Sequence, residues 1–164
     1  MKENLPFGVL LVNVGSPAAP TTTAVRRYLR EFLGDPDVVR VNRALWFVLL
    51  NGVILPLRAP KSAALYRSVW TEHGSPLIRF SRLQAEALQR ELGGDFAVAL
   101  AMRYGEPSID AALDELERRG CREVLLAPMF PQYSGTTSGT VEKAVRAALA
   151  RRRSPPTLRV LQPF

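Results

Sequence analysis

The sequence predicts an α/β fold, a Rossmann-like, doubly wound parallel sheet of about four strands. Three observations carry that reading. The run FGVLLVNV at 7–14 is almost continuously apolar, as a parallel strand covered on both faces should be. Strand-like and helix-like segments alternate along the chain. A length of 164 residues, 47% of them apolar, suffices for one sizeable core, so a single domain is the default.

Each element then follows in order. TTTAVRRYLREFLG after the first strand has a Thr cap and stops at Gly34. Beyond DPDVV, the segment RVNRALWFVLLNGVILPLR leads into another helical pattern, PKSAALYRSVWTEHG, with Pro60 at a first-turn position, where its missing N–H is harmless. SPLIRFSRLQAEALQRELGG is amphipathic and ends on glycine. DFAVALAM and CREVLLAPMF are the second and third strands, separated by the helix SIDAALDELERRG. SGTVEKAVRAALARRR is the last helix and TLRVLQPF the fourth strand. No repeat or low-complexity linker is visible.

The formal charge is +7, from 22 Lys plus Arg against 15 Asp plus Glu. Much of the excess is local. The RRR at 151–153 ends a helical pattern, where cations complement the helix dipole, and reads as a solvated helix end rather than a nucleic-acid surface. The lone cysteine, Cys121, lies in a turn before a strand and allows neither an intramolecular disulfide nor a cysteine metal cluster, which suits a cytoplasmic protein. The N-terminal apolar run is short, enters a Gly-Ser-Pro turn and lacks a small-residue cleavage site, so it reads as a strand and not a signal peptide.

In open α/β sheets, ligands bind beyond the carboxyl ends of the strands, and NVGSP, MRYGEPS and PMFPQYSGTTSGT share that edge. The third loop offers Tyr133 and Ser134 among several hydroxyls, with Gly135 and Gly139 permitting close backbone approach before a helix N-terminus able to attract an anion. For Ser138 and Thr140 the plainer role is capping that helix. Tyr133 presents a flat apolar face and one hydroxyl, which suits a flat aromatic ligand; a packed loop tyrosine is the alternative.

Taken together, LLVNVGSP, RAPKSAALYRSVWTEHGSPL, AMRYGEPSIDAALDEL and PMFPQYSGTTSGTV resemble the N-terminal half of ferrochelatase. The similarity runs through essentially all of the chain, and its motifs occur in the family's order and spacing. It implies a lyase of haem biosynthesis (porphyrin biosynthesis), with ferrous iron and a porphyrin, protoporphyrin IX or coproporphyrin III, as substrates and no resident cofactor in this half. Members of the family have two similar α/β domains with the porphyrin cleft between them. The proton-accepting histidine and its partner glutamate lie in the second, so the missing C-terminal domain is an implied partner. His73 in TEHGSPL stands where the N-terminal motif normally lies and reads as a partly exposed histidine at a helix C-terminus. Val14 occupies a position where some members carry Tyr or Met, so no iron ligand carries over.

The resemblance places porphyrin contacts at Arg58, Tyr66, Ser75, Arg103, Tyr104, Tyr133 and Ser134, with Arg58 the first choice for a propionate through the family's R.PK motif. Arg103 and Tyr104 should project at the ligand edge beside Tyr133. Residues 44–57 form an apolar patch too short to span a bilayer, bracketed by Arg40, Arg43, Arg58 and Lys61. The patch matches the family's lip over the cleft, with Leu45, Trp46, Phe47, Leu49 and Leu50 and an exposed Trp46-Phe47 pair; in some members this lip also touches the membrane. Two other readings stand beside this one. They are a non-catalytic tetrapyrrole-binding half-domain that pairs with itself, and a generic phosphate-binding module, which the lack of a glycine fingerprint after the first strand disfavours.

Overall fold

A computed structural model describes residues 6–161. The chain divides into two compact units, one comprising the described residues up to Val14, Phe80–Arg103 and Pro107 onward, the other Gly15–Arg79 and Tyr104–Glu106.

Nearly all of the sheet belongs to the first unit. Strands β1 (Phe7–Gly15), β2 (Phe96–Tyr104), β3 (Glu123–Pro128) and β4 (Thr157–Val160) lie in the order β2-β1-β3-β4 and run parallel. Leu10 stands beside Leu126, and Leu126 beside Val160. On one face, Leu10 and Val12 join Ala99, Ala101, Val124 and Leu126 against helices α5 (Ile109–Arg118) and α6 (Ser138–Ala150). On the other face, Val9, Leu11, Val98 and Ala127 meet Ala85, Leu88 and Leu92 of α4 (Pro76–Leu92). Both parities of β1 are therefore buried, which is why its sequence is apolar without alternation. The connection β1 to β2 steps one way across the sheet, while β2 to β3 and β3 to β4 step the other way. Right-handed crossovers then put their helices on opposite faces, with the switch between β1 and β3.

Edge strand β2 is masked by side chains. The Val98 N–H donates to Gln89 Oε1 at 2.9 Å, and Arg119 Nη2 donates to the same oxygen at 2.9 Å. Gln89 Nε2 donates to the Phe96 carbonyl at 3.0 Å, so this edge offers less free backbone to a foreign strand.

The second unit is helical. Helix α1 (Thr22–Gly34) begins on the Thr21 hydroxyl, which accepts the Ala24 N–H at 3.3 Å, and ends at Asp35, as the Thr cap and Gly34 stop predicted. A continuous helix then runs from Arg43 to Val69 as α2 (Arg43–Leu49), a π-helical turn (Leu50–Ile54) and α3 (Leu55–Val69). Asn42 caps it, its Oδ1 accepting from Ala44 and Leu45. Its buried side chains Leu50, Leu55, Ala59 and Ala63 are spaced by five, four and four residues. In a regular α-helix a step of five would turn Leu55 about 140° away from Leu50. The π turn absorbs the extra residue and keeps both on the packed face.

Several sequence expectations are corrected. Pro60 does not open a helix; it lies inside α3, because the apolar face continues across it and tertiary packing outweighs one missing hydrogen bond. The helix containing the 44–57 patch has 27 residues, and is long and apolar enough to cross a membrane by length and composition alone. Strand β2 is longer than expected and takes in Arg103 and Tyr104. Residues 162–164 of the expected fourth strand lie outside those described. The basic run after α6 is not simply a solvated helix end: Arg152, with its side chain only 13% exposed, meets Asp110, Asp114 and Glu117 on α5, and Arg151 also pairs with Asp110.

Candidate functional site

In the first unit, the carboxyl edge of the sheet presents Val14, Arg103 and the loop that follows β3. The Met129 N–H still bonds to the Val12 carbonyl at 2.8 Å, so the loop leaves the ladder in register. Tyr133 stands 63% exposed. Its hydroxyl lies 3.2 Å from where a Cβ on Gly139 would be, so the glycine leaves room for the phenol over the start of α6. Ser134 is spent on local structure. Its carbonyl accepts the N–H groups of Thr137 and Gly139, each at 3.1 Å, and its hydroxyl lies 3.0 Å from that of Thr136. The helix cap is thus the Ser134 carbonyl, not the hydroxyls of Ser138 and Thr140. Both of those residues are buried, and the Thr140 hydroxyl bonds back to the Thr137 carbonyl at 2.9 Å. An N-terminus capped in this way has fewer free donors for an anion. Arg103 is half-buried within β2.

In the second unit, five rings form a row. Tyr104 meets Phe32 edge-on at 5.2 Å, Phe32 stacks with Tyr28 at 6.2 Å, Tyr28 meets Tyr66 at 6.5 Å, and Tyr66 meets Trp70 at 6.4 Å. Tyr66 and Tyr104 are thereby brought into one packed array. Tyr104 is only 1% exposed and its hydroxyl donates to Asp35 Oδ2 at 2.9 Å, which corrects the expectation of a side chain projecting at the ligand edge. The Tyr28 hydroxyl donates to the Gly15 carbonyl at 3.3 Å. Burial pushes the Tyr28 phenol well above its ordinary range, with further upward contributions from Tyr66, Tyr104 and Glu31; burial also raises Tyr66.

These rings hold the turn after β1. Arg67 donates to the Pro20 carbonyl at 3.3 Å, and the Gly105 N–H donates to Glu31 Oε2 at 3.1 Å. Gly105 has φ +84°, and a Cβ there would sit 3.0 Å from the Ser16 carbonyl oxygen, so only glycine fits. Ser75 is buried, and its carbonyl accepts the Arg79 N–H at 3.0 Å.

The lip segment divides by face. Leu45 (70% exposed), Phe47 (69% exposed) and Leu49 face solvent, whereas Leu50 is buried. Trp46 is not freely exposed: it is half-buried, and its Nε1 donates to the Leu33 carbonyl at 2.8 Å. Of the bracketing cations, Arg43 donates to the Gly34 carbonyl at 2.7 Å, while Arg58 is exposed and makes no hydrogen bond or ion pair among the described residues. His73 lies beyond α3 in the tight turn closed by Thr71 and Gly74, 3.4 Å from Glu72, and not at a helix end. Among the described residues, no three His, Cys, Asp or Glu side chains gather as a metal site.

Sequence reasoning missed Asp35, Tyr28, Phe32 and Glu31. The i, i+4 spacing of Tyr28 and Phe32 beside Val25 and Leu29 is the signal that could have revealed the ring row.

Comparison with known proteins completes this picture. The ferrochelatase family model matches residues 6–164. The chain is 49% identical over 162 residues to the ferrochelatase of Thioalkalivibrio sulfidiphilus, covering 96% of this chain and 44% of that protein. It is 47% identical over 164 residues to that of Photobacterium profundum (100% and 50% covered), and 48% identical over 157 residues to that of Escherichia coli O139:H28 (96% and 49%). The chain spans about half the length of the curated relatives it matches.

Proposed function

This chain belongs to the ferrochelatase family, and we propose that it forms one wall of the cleft in which ferrous iron enters a porphyrin, the second half of the full-length protein forming the other. The observation that carries the proposal is Arg58, an exposed guanidinium with no partner among the described residues, on a helix whose outward face is apolar. That combination suits a macrocycle with apolar faces and carboxylate arms. The guanidinium binds a propionate through charge-assisted hydrogen bonds, and the apolar face excludes water around it.

Tyr133 offers its ring to the face of the macrocycle, and Arg103 sets the electrostatics of the wall. Tyr66, Ser75 and Ser134 line or support the wall. Tyr104, with its hydroxyl held by Asp35, acts as a positioning residue behind it. Iron insertion releases two pyrrole protons, so a base must take them. His73 beside Glu72 in an exposed turn is not assigned that role, and proton removal belongs to the second half. The 164-residue chain alone is therefore inactive. Leu45, Phe47 and Leu49, with Arg40 and Lys61 nearby, also suit contact with an anionic membrane surface, and the protein is cytoplasmic and peripheral.

The test is to assay iron insertion by this chain alone and after fusion, past Phe164, to the second half of the Thioalkalivibrio sulfidiphilus relative. Activity only in the fusion supports the proposal. Turnover by the chain alone, abolished by His73→Ala, overturns the assignment of proton removal. Porphyrin binding without insertion in either form favours a non-catalytic tetrapyrrole-binding half-domain.

A further inference from the structure

The amino edge of the first unit's sheet carries a cluster of arginines that the porphyrin wall does not use. Helices α5 and α6 both end there, because each feeds one of two neighbouring parallel strands, β3 and β4. The turns that follow them, RRGCR at 118–122 and RRRSPP at 151–156, therefore lie side by side. The Thr157 N–H donates to the Arg122 carbonyl at 2.8 Å and ties the second turn to the first. Both turns are held by backbone bonds. The Cys121 N–H donates to the Leu116 carbonyl and the Arg152 N–H to the Leu149 carbonyl, each at 3.0 Å, and Pro155 and Pro156 restrict the backbone beyond.

The two turns hold six arginines and no acidic residue. Three of the arginines are engaged. Arg119 donates to Gln89 Oε1 at 2.9 Å, Arg151 pairs with Asp110 at 2.9 Å, and Arg152 pairs with Asp114 at 2.6 Å and Glu117 at 2.9 Å. These pairs occupy the acidic face of α5, and Glu123 at the start of β3 is taken by Arg159 at 2.8 Å. Asp95, before β2, is separated from β3 by the whole of β1. Arg118, Arg122 and Arg153 are left over. All three are exposed, and their side chains make no hydrogen bond or ion pair among the described residues. The two helix ends, each worth about half a negative charge, offset about one of these three positive charges, so the edge stays net positive.

We propose that this edge docks an acidic segment of a partner protein, Arg118, Arg122 and Arg153 meeting about three of its carboxylates. The residue types select that occupant. Every cation in the two turns is an arginine, whose planar fork pairs with a carboxylate through two hydrogen bonds. The turns hold no large apolar side chain to enter a bilayer. Nor do they hold an aromatic ring on which bases could stack, and Phe7 and Phe96, at the starts of β1 and β2, pack edge-on against each other at 6.0 Å. Three cations are also few for a phosphate backbone, whose grip comes from many such contacts. The surface lies about 20 Å along β3 from the edge that presents Val14, Arg103 and the loop after β3, so the segment can bind whether or not that edge is occupied. Porphyrin binding plays no part in it.

The experiment titrates the 164-residue chain into fluorescein-labelled hexaglutamate at about 50 mM salt and follows anisotropy, with hexaglutamine as the neutral control. The expected result is salt-sensitive binding of hexaglutamate alone, weakened about tenfold by Arg118→Gln, Arg122→Gln and Arg153→Gln together. The same loss of charge at Arg27, Arg30 and Arg40, exposed in the second unit, should weaken it by less than about threefold. No binding of hexaglutamate, or equal weakening by the two triple variants, overturns the proposal. A decathymidylate bound more tightly than the peptide, and lost in the first triple variant, also overturns it, in favour of nucleic acid. If that variant does not fold, hexaglutamate bearing a terminal benzophenone is cross-linked to the wild-type chain instead. Adducts should then map to residues 117–123 and 150–157, and adducts confined to other segments overturn the proposal.

Discussion

The Tyr104 hydroxyl and the Asp35 carboxylate, 69 residues apart in sequence, share a buried 2.9 Å hydrogen bond that joins the end of β2 to the end of α1. Asp35 also accepts the Asp37 N–H at 2.8 Å, so one carboxylate organises both the helix end and the turn after it. Tyr104→Phe should cost about 1.5–3 kcal/mol in chemical denaturation, and Asp35→Ala about 2–4 kcal/mol. The double variant should lose less than the sum. In the fusion, Tyr104→Phe should leave porphyrin affinity within about twofold; a tenfold weakening at unchanged stability would make Tyr104 a ligand contact (a factor of ten being about 1.4 kcal/mol).

Trp46 and Phe47 are neighbours with opposite roles. Trp46→Ser removes a packed ring and its bond to Leu33, and should destabilise the chain by about 2–4 kcal/mol. Phe47→Ser, on the exposed face, should change stability by less than about 0.5 kcal/mol. It should nonetheless weaken sedimentation with phosphatidylglycerol vesicles several-fold. Equal vesicle binding by wild type and Phe47→Ser would remove the membrane role.

Pro60 sits exposed inside α3, where it cannot donate to the carbonyl one turn earlier. Pro60→Ala should therefore raise stability by about 1–3 kcal/mol, read from the denaturation midpoint. A loss would mean that the proline sets a bend on which the helix depends.

The Tyr28 phenol has its affinity for the proton raised by burial, so the folded state holds the proton more tightly than the unfolded state. Its contribution is fully present below the ordinary tyrosine range near pH 10 and is lost as pH rises above it. Stability should fall above about pH 10, and Tyr28→Phe should make that fall shallower. An unchanged alkaline slope in the variant would show that Tyr28 is not a source of it.

Much of the fold was legible because apolar runs and caps are local signals. FGVLLVNV and the Thr cap announced their elements, and the α4, α5 and α6 patterns lie where the helices are. The unbroken helix from Arg43 to Val69 was not legible, since its face is kept by a π turn that no fixed period describes. Nor was the burial of Tyr104, whose partner Asp35 lies far off in sequence. The same holds for Arg152, which looked like one cation of a solvated run until the acidic face of α5 was brought beside it. For the site, loop position marked Tyr133 and the family resemblance marked Arg58 as candidate contacts, but local bonding at Ser134 depended on loop geometry that sequence does not display.

The central claim, that this chain presents a porphyrin-binding wall through Arg58, is tested most directly by titrating the fusion and its Arg58→Ala variant with a free-acid porphyrin and with the same porphyrin esterified at its propionates, following the Soret band. The account predicts that Arg58→Ala weakens free-acid binding by about 1.5–3 kcal/mol and leaves binding of the ester unchanged. Equal losses for the two porphyrins, or none for either, would contradict it.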